Sequence, residues 1–124
     1  MDKKLGFTVR CDISRNLIEV AYRGKVSIAD VKAVFEKVQE LLPELRQGFT
    51  FLADLSGLES MELDSVGDIT KIMDSCNAAG IGTVVRIIPD PRKDIGFNIL
   101  SIIHYRRGVR MITCQTAAEA ERVI

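Results

Sequence analysis

The chain has 124 residues, 47% hydrophobic and 27% charged. That is the size and composition of one globular domain spanning residues 1–124, too short for two ordinary ones. Its 17 Lys and Arg are balanced by 17 Asp and Glu, which argues against a nucleic-acid binder, whose affinity comes from uncompensated positive charge. The longest uncharged stretch is about a dozen residues, short of the roughly 20 needed to span a bilayer. Met1–Gly6 holds no apolar signal core, so the expectation is a cytoplasmic protein with no membrane span.

Phe7–Cys11 alternates apolar and polar residues, and Leu17–Arg23 follows after the turn residues Asp12–Asn16. The chain therefore opens with an antiparallel hairpin. Gly24 breaks the second strand. Ser27 caps a helix, with Asp30 as its capping-box partner. Val31, Val34, Phe35, Val38, Leu41 and Leu42 recur at helical spacing, and Pro43 and Gly48 close the segment. The short, mostly apolar run Phe49–Asp54 reads as a strand buried on both faces.

A second helix starts between Ser60 and Ser65, places Val66, Ile69, Ile72, Met73 and Cys76 at helical period, and ends at Gly80. Thr83–Ile88 is a β-branched strand, followed by the rigid loop Pro89–Pro91. A third helix runs from Lys93 or Asp94 to Arg106 or Arg107 and stops at Gly108. Val109–Cys114 is the last strand, and Thr116 with Glu119 forms a capping box for a short terminal helix. The order ββαβαβαβα makes an α/β fold: one mixed sheet, mostly parallel, with an N-terminal antiparallel hairpin. Val34, Phe35, Val38, Phe51, Ile69, Val85 and Ile87 are the expected core.

The 3 cysteines, Cys11, Cys76 and Cys114, are far apart, and His104 is the 1 histidine. No zinc knuckle or redox pair exists in that spacing, and the cysteines read as small buried hydrophobes. His104 has no nucleophile or orienting carboxylate beside it in sequence, and Tyr105–Arg107 adds cations that suit a helix C-terminus. No catalytic residue, metal or cofactor is therefore expected.

Two loops should lie beyond the carboxyl ends of the parallel strands, where open α/β sheets place their functional residues. In the second, Arg92 and Lys93 stand beside Asp90 and Asp94 and read as a solvated loop. The first, Asp54–Ser65, has one glycine and no lysine, and Glu59, Glu62 and Asp64 would repel a phosphate.

Within that first loop, Asp54-Leu55-Ser56-Gly57 resembles the signature of STAS domains, best known as anti-sigma-factor antagonists. In that family Asp-Leu-Ser-Gly is followed by Asp-Ser-Ser-Gly at the start of a helix. The resemblance extends over nearly the whole chain through the order of elements. It implies a non-enzymatic regulatory module that docks a protein partner, an anti-sigma factor or a related kinase-like regulator. The docking residues it implies are Asp54, Ser56, Gly57, Glu62, Asp64, Ser65 and Gly67, with Asp54 ending its strand and Ser56 and Gly57 shaping a turn. The family's phosphorylated serine is missing: Asp64-Ser65-Val66-Gly67 has Val66 at that position, or Asp64 if no insertion is allowed. Ser65 is then the candidate phosphorylation site, on the expectation that a hydroxyl at a helix N-terminus is exposed.

The third helix is apolar on nearly every side, which calls for a cover. Phe97, Ile99 and Ile103 are the candidate surface for a homodimer, a partner protein or a ligand. The alternative function is therefore a small-molecule or lipid carrier built on that helix.

Overall fold

The computed structural model describes residues 6–90, 105 and 108–124. Five strands form one sheet in the order β1-β2-β3-β4-β5: β1 Phe7–Asp12, β2 Leu17–Val26, β3 Thr50–Met61, β4 Thr83–Ile87 and β5 Arg110–Cys114. The β1–β2 pair is antiparallel and the other pairs are parallel. The helices are α1 Ile28–Leu41, α2 Val66–Ala79 and the terminal α3 Ala117–Val123. The helix expected between β4 and β5, with Phe97, Ile99, Ile103 and His104, lies outside the described residues.

Successive parallel strands sit side by side, so right-handed crossovers put their helices on the same face. Val31, Val34 and Val38 of α1 and Ile69, Ile72, Met73 and Cys76 of α2 share one core with Ile18, Val20, Phe51 and Val84. The other face carries a smaller core, in which Ala120 of α3 packs with Leu17, Leu52, Val85, Ile87 and Cys114. The alternation of the strands explains the split: Val84 faces one layer and Val85 the other. Phe51 and Leu52 of β3, like Val84 and Val85 of β4, are successive buried apolar residues because both faces of the sheet are covered there.

Local chemistry fixes the helix ends. The Ser27 hydroxyl accepts the Asp30 N–H at 3.2 Å and the Asp30 carboxylate accepts the Ser27 N–H at 3.0 Å, a complete capping box. Thr116 caps α3 through the Glu119 N–H at 3.1 Å, but the Glu119 carboxylate reaches past Thr116 to the Gln115 N–H. Gly80 ends α2 at φ +90°, a conformation that favours glycine. Gly82 serves close approach: a Cβ there would stand 2.8 Å from the Gly48 carbonyl oxygen.

Two sequence readings are corrected by packing. Phe35 is half-buried rather than central, because α1 turns Val31, Val34 and Val38 to the sheet. The centre is filled instead by Phe49, just before β3 and fully buried. Gly24 does not break β2. It sits within the strand at φ +65°, beside a register shift that lets β2 and β3 pair as far as Val26 and Met61.

Candidate functional site

The long β2–β3 pairing changes the geometry of the Asp54–Ser65 segment. Asp54 does not end its strand, and Ser56 and Gly57 do not form a turn. β3 runs through all three to Met61. Ala21 pairs with Asp54 and Arg23 with Gly57, so β3 holds one extra residue between these pairs and bulges there. The Asp54 carboxylate accepts both the Ser56 N–H at 3.0 Å and the Ser56 hydroxyl at 2.6 Å. Those bonds satisfy the backbone N–H that the bulge takes out of the ladder. A Cβ at Gly57 would meet Arg23 Cγ at 3.1 Å, so a glycine there lets the two strands close after the bulge.

The expected docking residues therefore fall into two groups. Asp54, Ser56 and Gly57 form the bulge, and Asp54 is on the row opposite Ala53 and Leu55, which join the core beneath α1 and α2. Glu62, Asp64, Ser65 and Gly67 lie at the start of α2, after a tight 3₁₀ turn over Leu63–Ser65. Four residues of strand separate Gly57 from Glu62, five steps of the chain or about 17 Å if straight.

The start of α2 is an apolar knob among carboxylates. Leu63 is 87% exposed and Val66 42% exposed. Glu59, Glu62, Asp64 and Gly67 are exposed as well. Val66 is thus largely in solvent, not in the core as its spacing suggested, because it is the first residue of α2 and stands at the edge of the face that Ile69, Ile72, Met73 and Cys76 bury. The Glu62 carboxylate accepts the Ile28 N–H at 3.3 Å, which ties the starts of α1 and α2 together. Asp68, one turn on, is buried beside Lys71 at 3.9 Å. Sequence reasoning missed Leu63, whose only signal is a large apolar residue between two acids.

Ser65 overturns its expectation. It is 0% exposed. Its hydroxyl donates to the Glu62 carbonyl at 2.5 Å, and its N–H donates to the same oxygen at 3.0 Å. The hydroxyl turns inward to close the 3₁₀ turn, so the site of attachment for a phosphate is covered.

The overall architecture has known counterparts. A DUF3478-family protein with a SpoIIAA-like fold from Shewanella loihica superposes with a TM-score of 0.75 over 99% of this chain and 98% of that one, at 13% identity. The fold is SpoIIAA-like. The anti-sigma factor antagonist SpoIIAA in its unphosphorylated form matches with a TM-score of 0.65 at 18% identity, over 94% of this chain and 96% of that one. The Bacillus cell fate determinant SpoIIAA in its phosphorylated form matches with a TM-score of 0.64 at 19% identity, over 95% and 99%. No protein-family model matches the sequence, and no curated protein is significantly similar to it. The expected mixed sheet is the sheet of these SpoIIAA-like folds.

Among the described residues, no group of three or more His, Cys, Asp and Glu side chains is placed to hold a metal ion. No helix among them is long and apolar enough to cross a membrane. Burial pushes the Cys76 thiol up to about 12. Cys11 is raised by burial, then by Glu44 and Asp12, and Cys114 by burial, then by Glu119. All three shifts reduce the thiolate fraction at neutral pH, so the native protein should react with a thiol reagent more slowly than a model thiol at pH 8. Denaturant should release all 3 cysteines. A thiol that reacts in the folded protein at the rate of a free cysteine would contradict this.

Proposed function

We propose that the chain is a regulatory protein–protein interaction module that docks its partner with the start of α2. The observation that carries the reading is Leu63, 87% exposed, close in the chain to the exposed Val66 and flanked in sequence by the exposed Glu62 and Asp64. A large apolar side chain held this far into water by a short rigid turn is a poor choice for folding and a good anchor for an interface. The flanking acids favour a partner with an apolar socket and a basic rim. The SpoIIAA-like fold supports this, since proteins named as anti-sigma factor antagonists share it. An anti-sigma factor or a related kinase-like regulator is the partner class this reading takes. The module works without a phosphoserine at the start of α2, because Val66 has no hydroxyl and Ser65 is covered.

The test is binding by the full chain and by Leu63→Asp to a purified anti-sigma factor from the same cells. Leu63→Asp should weaken binding by thirtyfold or more, about 2 kcal/mol. Its folding stability should move by less than about 0.5 kcal/mol, as expected of an exposed site. Equal binding by the variant would remove α2 as the docking edge.

A further inference from the structure

We propose that a groove on the sheet face that carries α3 is an interface between two copies of this chain, each seating its Ile13 in the groove of the other. The groove measures about 520 Å³ and lies between the β1–β2 turn and α3. Leu17 and Leu52 line it and form an apolar floor, both belonging to the smaller core beneath α3. Two ion pairs stand at its walls: Arg10 with Glu19 at 3.0 Å, and Arg15 with Glu121 at 3.1 Å.

Ile13 lines the same groove and is 51% exposed. A single exposed isoleucine is ordinary, but this one stands on a turn whose shape is fixed. The Ile13 carbonyl accepts the Asn16 N–H at 3.1 Å. Asp12 Oδ1 accepts the Ser14 hydroxyl at 2.7 Å and the Arg15 N–H at 3.3 Å. The Asn16 side chain donates to the Arg46 carbonyl at 3.1 Å and accepts the Arg46 N–H at 2.8 Å, which ties the turn to the chain ahead of β3. The isoleucine is therefore presented in place before association, which lowers the entropy lost on binding.

Symmetry and charge select the occupant. A twofold interface needs the projecting group and its socket on one patch, and Ile13 and the groove meet that condition. The groove sets Arg10 and Arg15 against Asp12, Glu19 and Glu121, so two copies of it meet with nearly balanced charge. The turn that carries Ile13 also carries Arg15, and the α3 side of the groove carries Glu121. A twofold that seats Ile13 over Leu17 and Leu52 of the other copy brings Arg15 to that copy's Glu121. The patch is small, which puts the dimer at the weak end of specific association. The inference is independent of the docking edge at Leu63.

The test is sedimentation velocity of the full chain over a concentration series reaching about 1 mM, above an expected dimer Kd of roughly 0.1 mM. Ile13→Asp should weaken the dimer by at least about tenfold. Arg15→Glu and Glu121→Arg, both at exposed side chains, should each weaken it to a similar degree. An equal mixture of these two variants should dimerise again, to within about threefold of the parent. In the mixed pair one contact keeps the native Arg15 and Glu121, and the other sets the two substituted charges, of opposite sign, against each other. Within either variant chain, positions 15 and 121 carry like charge. A role for these residues inside a single chain would therefore leave the mixture as weak as its parts. A parent chain that stays monomeric throughout the series leaves the groove to another occupant and overturns the proposal; that measurement needs no variant to fold. A dimer indifferent to Ile13→Asp, or a mixture no tighter than its components, overturns it too.

Discussion

Phe49→Ala should destabilise the fold by about 3–5 kcal/mol. Phe49 is the largest fully buried side chain in the described structure. Its backbone is also the junction of two loops: the Phe49 carbonyl accepts the Gly82 N–H at 2.9 Å and the Thr83 N–H at 3.3 Å. The Gly48 N–H next to it donates to the Gly80 carbonyl at 2.7 Å. These bonds pin the position, and the close approach of Gly82 to Gly48 prevents the loops from moving in. The space left by the ring will stay open, which puts the loss at the high end for such a substitution. Urea unfolding should show a lower midpoint with an unchanged slope. Phe35→Ala, at a half-buried position on the flank of α1, should cost about 1–2 kcal/mol in the same assay. A larger loss at Phe35 than at Phe49 would mean that the core is centred elsewhere.

The contrast between these two phenylalanines shows what was legible in the sequence. Periodicity placed α1 correctly and made Val31, Val34 and Val38 core residues. It could not rank Phe35 within a broad apolar stripe, because the edge of the stripe is set by where β1 and β2 lie. Phe49 stands at the entry to a strand, where no period operates. The parallel sheet followed from the alternation of strands and helices, but its sequential order required the structure.

The candidate site was half legible. The Asp54-Leu55-Ser56-Gly57 motif is visible in one dimension, and its role as a bulge is not. A bulge depends on how many residues of β2 oppose it, and Gly24 reads as a terminator until its pairing partner is known. Exposure at the start of α2 was equally hidden. Val66 and Ser65 exchange their expected places: Ser65, four residues before Ile69, lies on the buried face of α2, and Val66 lies at the edge of that face in the first position of the helix. The resemblance grouped Asp54, Ser56 and Gly57 with Glu62, Asp64, Ser65 and Gly67 as one docking edge, while the strand between them separates the two sets along the chain.

Ser65→Asp should destabilise the chain by about 3 kcal/mol, while Ser65→Ala should cost about 1 kcal/mol. In the alanine variant the Glu62 carbonyl keeps the Ser65 N–H bond, at 3.0 Å in the parent, so no polar atom is stranded. The aspartate variant places an anion where the parent hydroxyl donates to a carbonyl oxygen. The variant thus sets acceptor against acceptor, in a fully buried position. Glu62 and Asp64 precede it and Asp68 follows it, so like charge adds to the dehydration. The N-terminus of α2 opposes this by attracting the anion, but such an interaction is worth about 0.3–1 kcal/mol, well below the loss. The deficit should shrink as the pH falls, because a buried carboxyl binds its proton more readily in the fold than in the unfolded chain. Equilibrium unfolding of both variants across pH 4 to 8 (roughly the range in which such a carboxyl titrates) measures the difference. If Ser65→Asp is as stable as Ser65→Ala throughout, the start of α2 can take a negative charge at this position, and a phosphate switch at Ser65 becomes compatible with the fold.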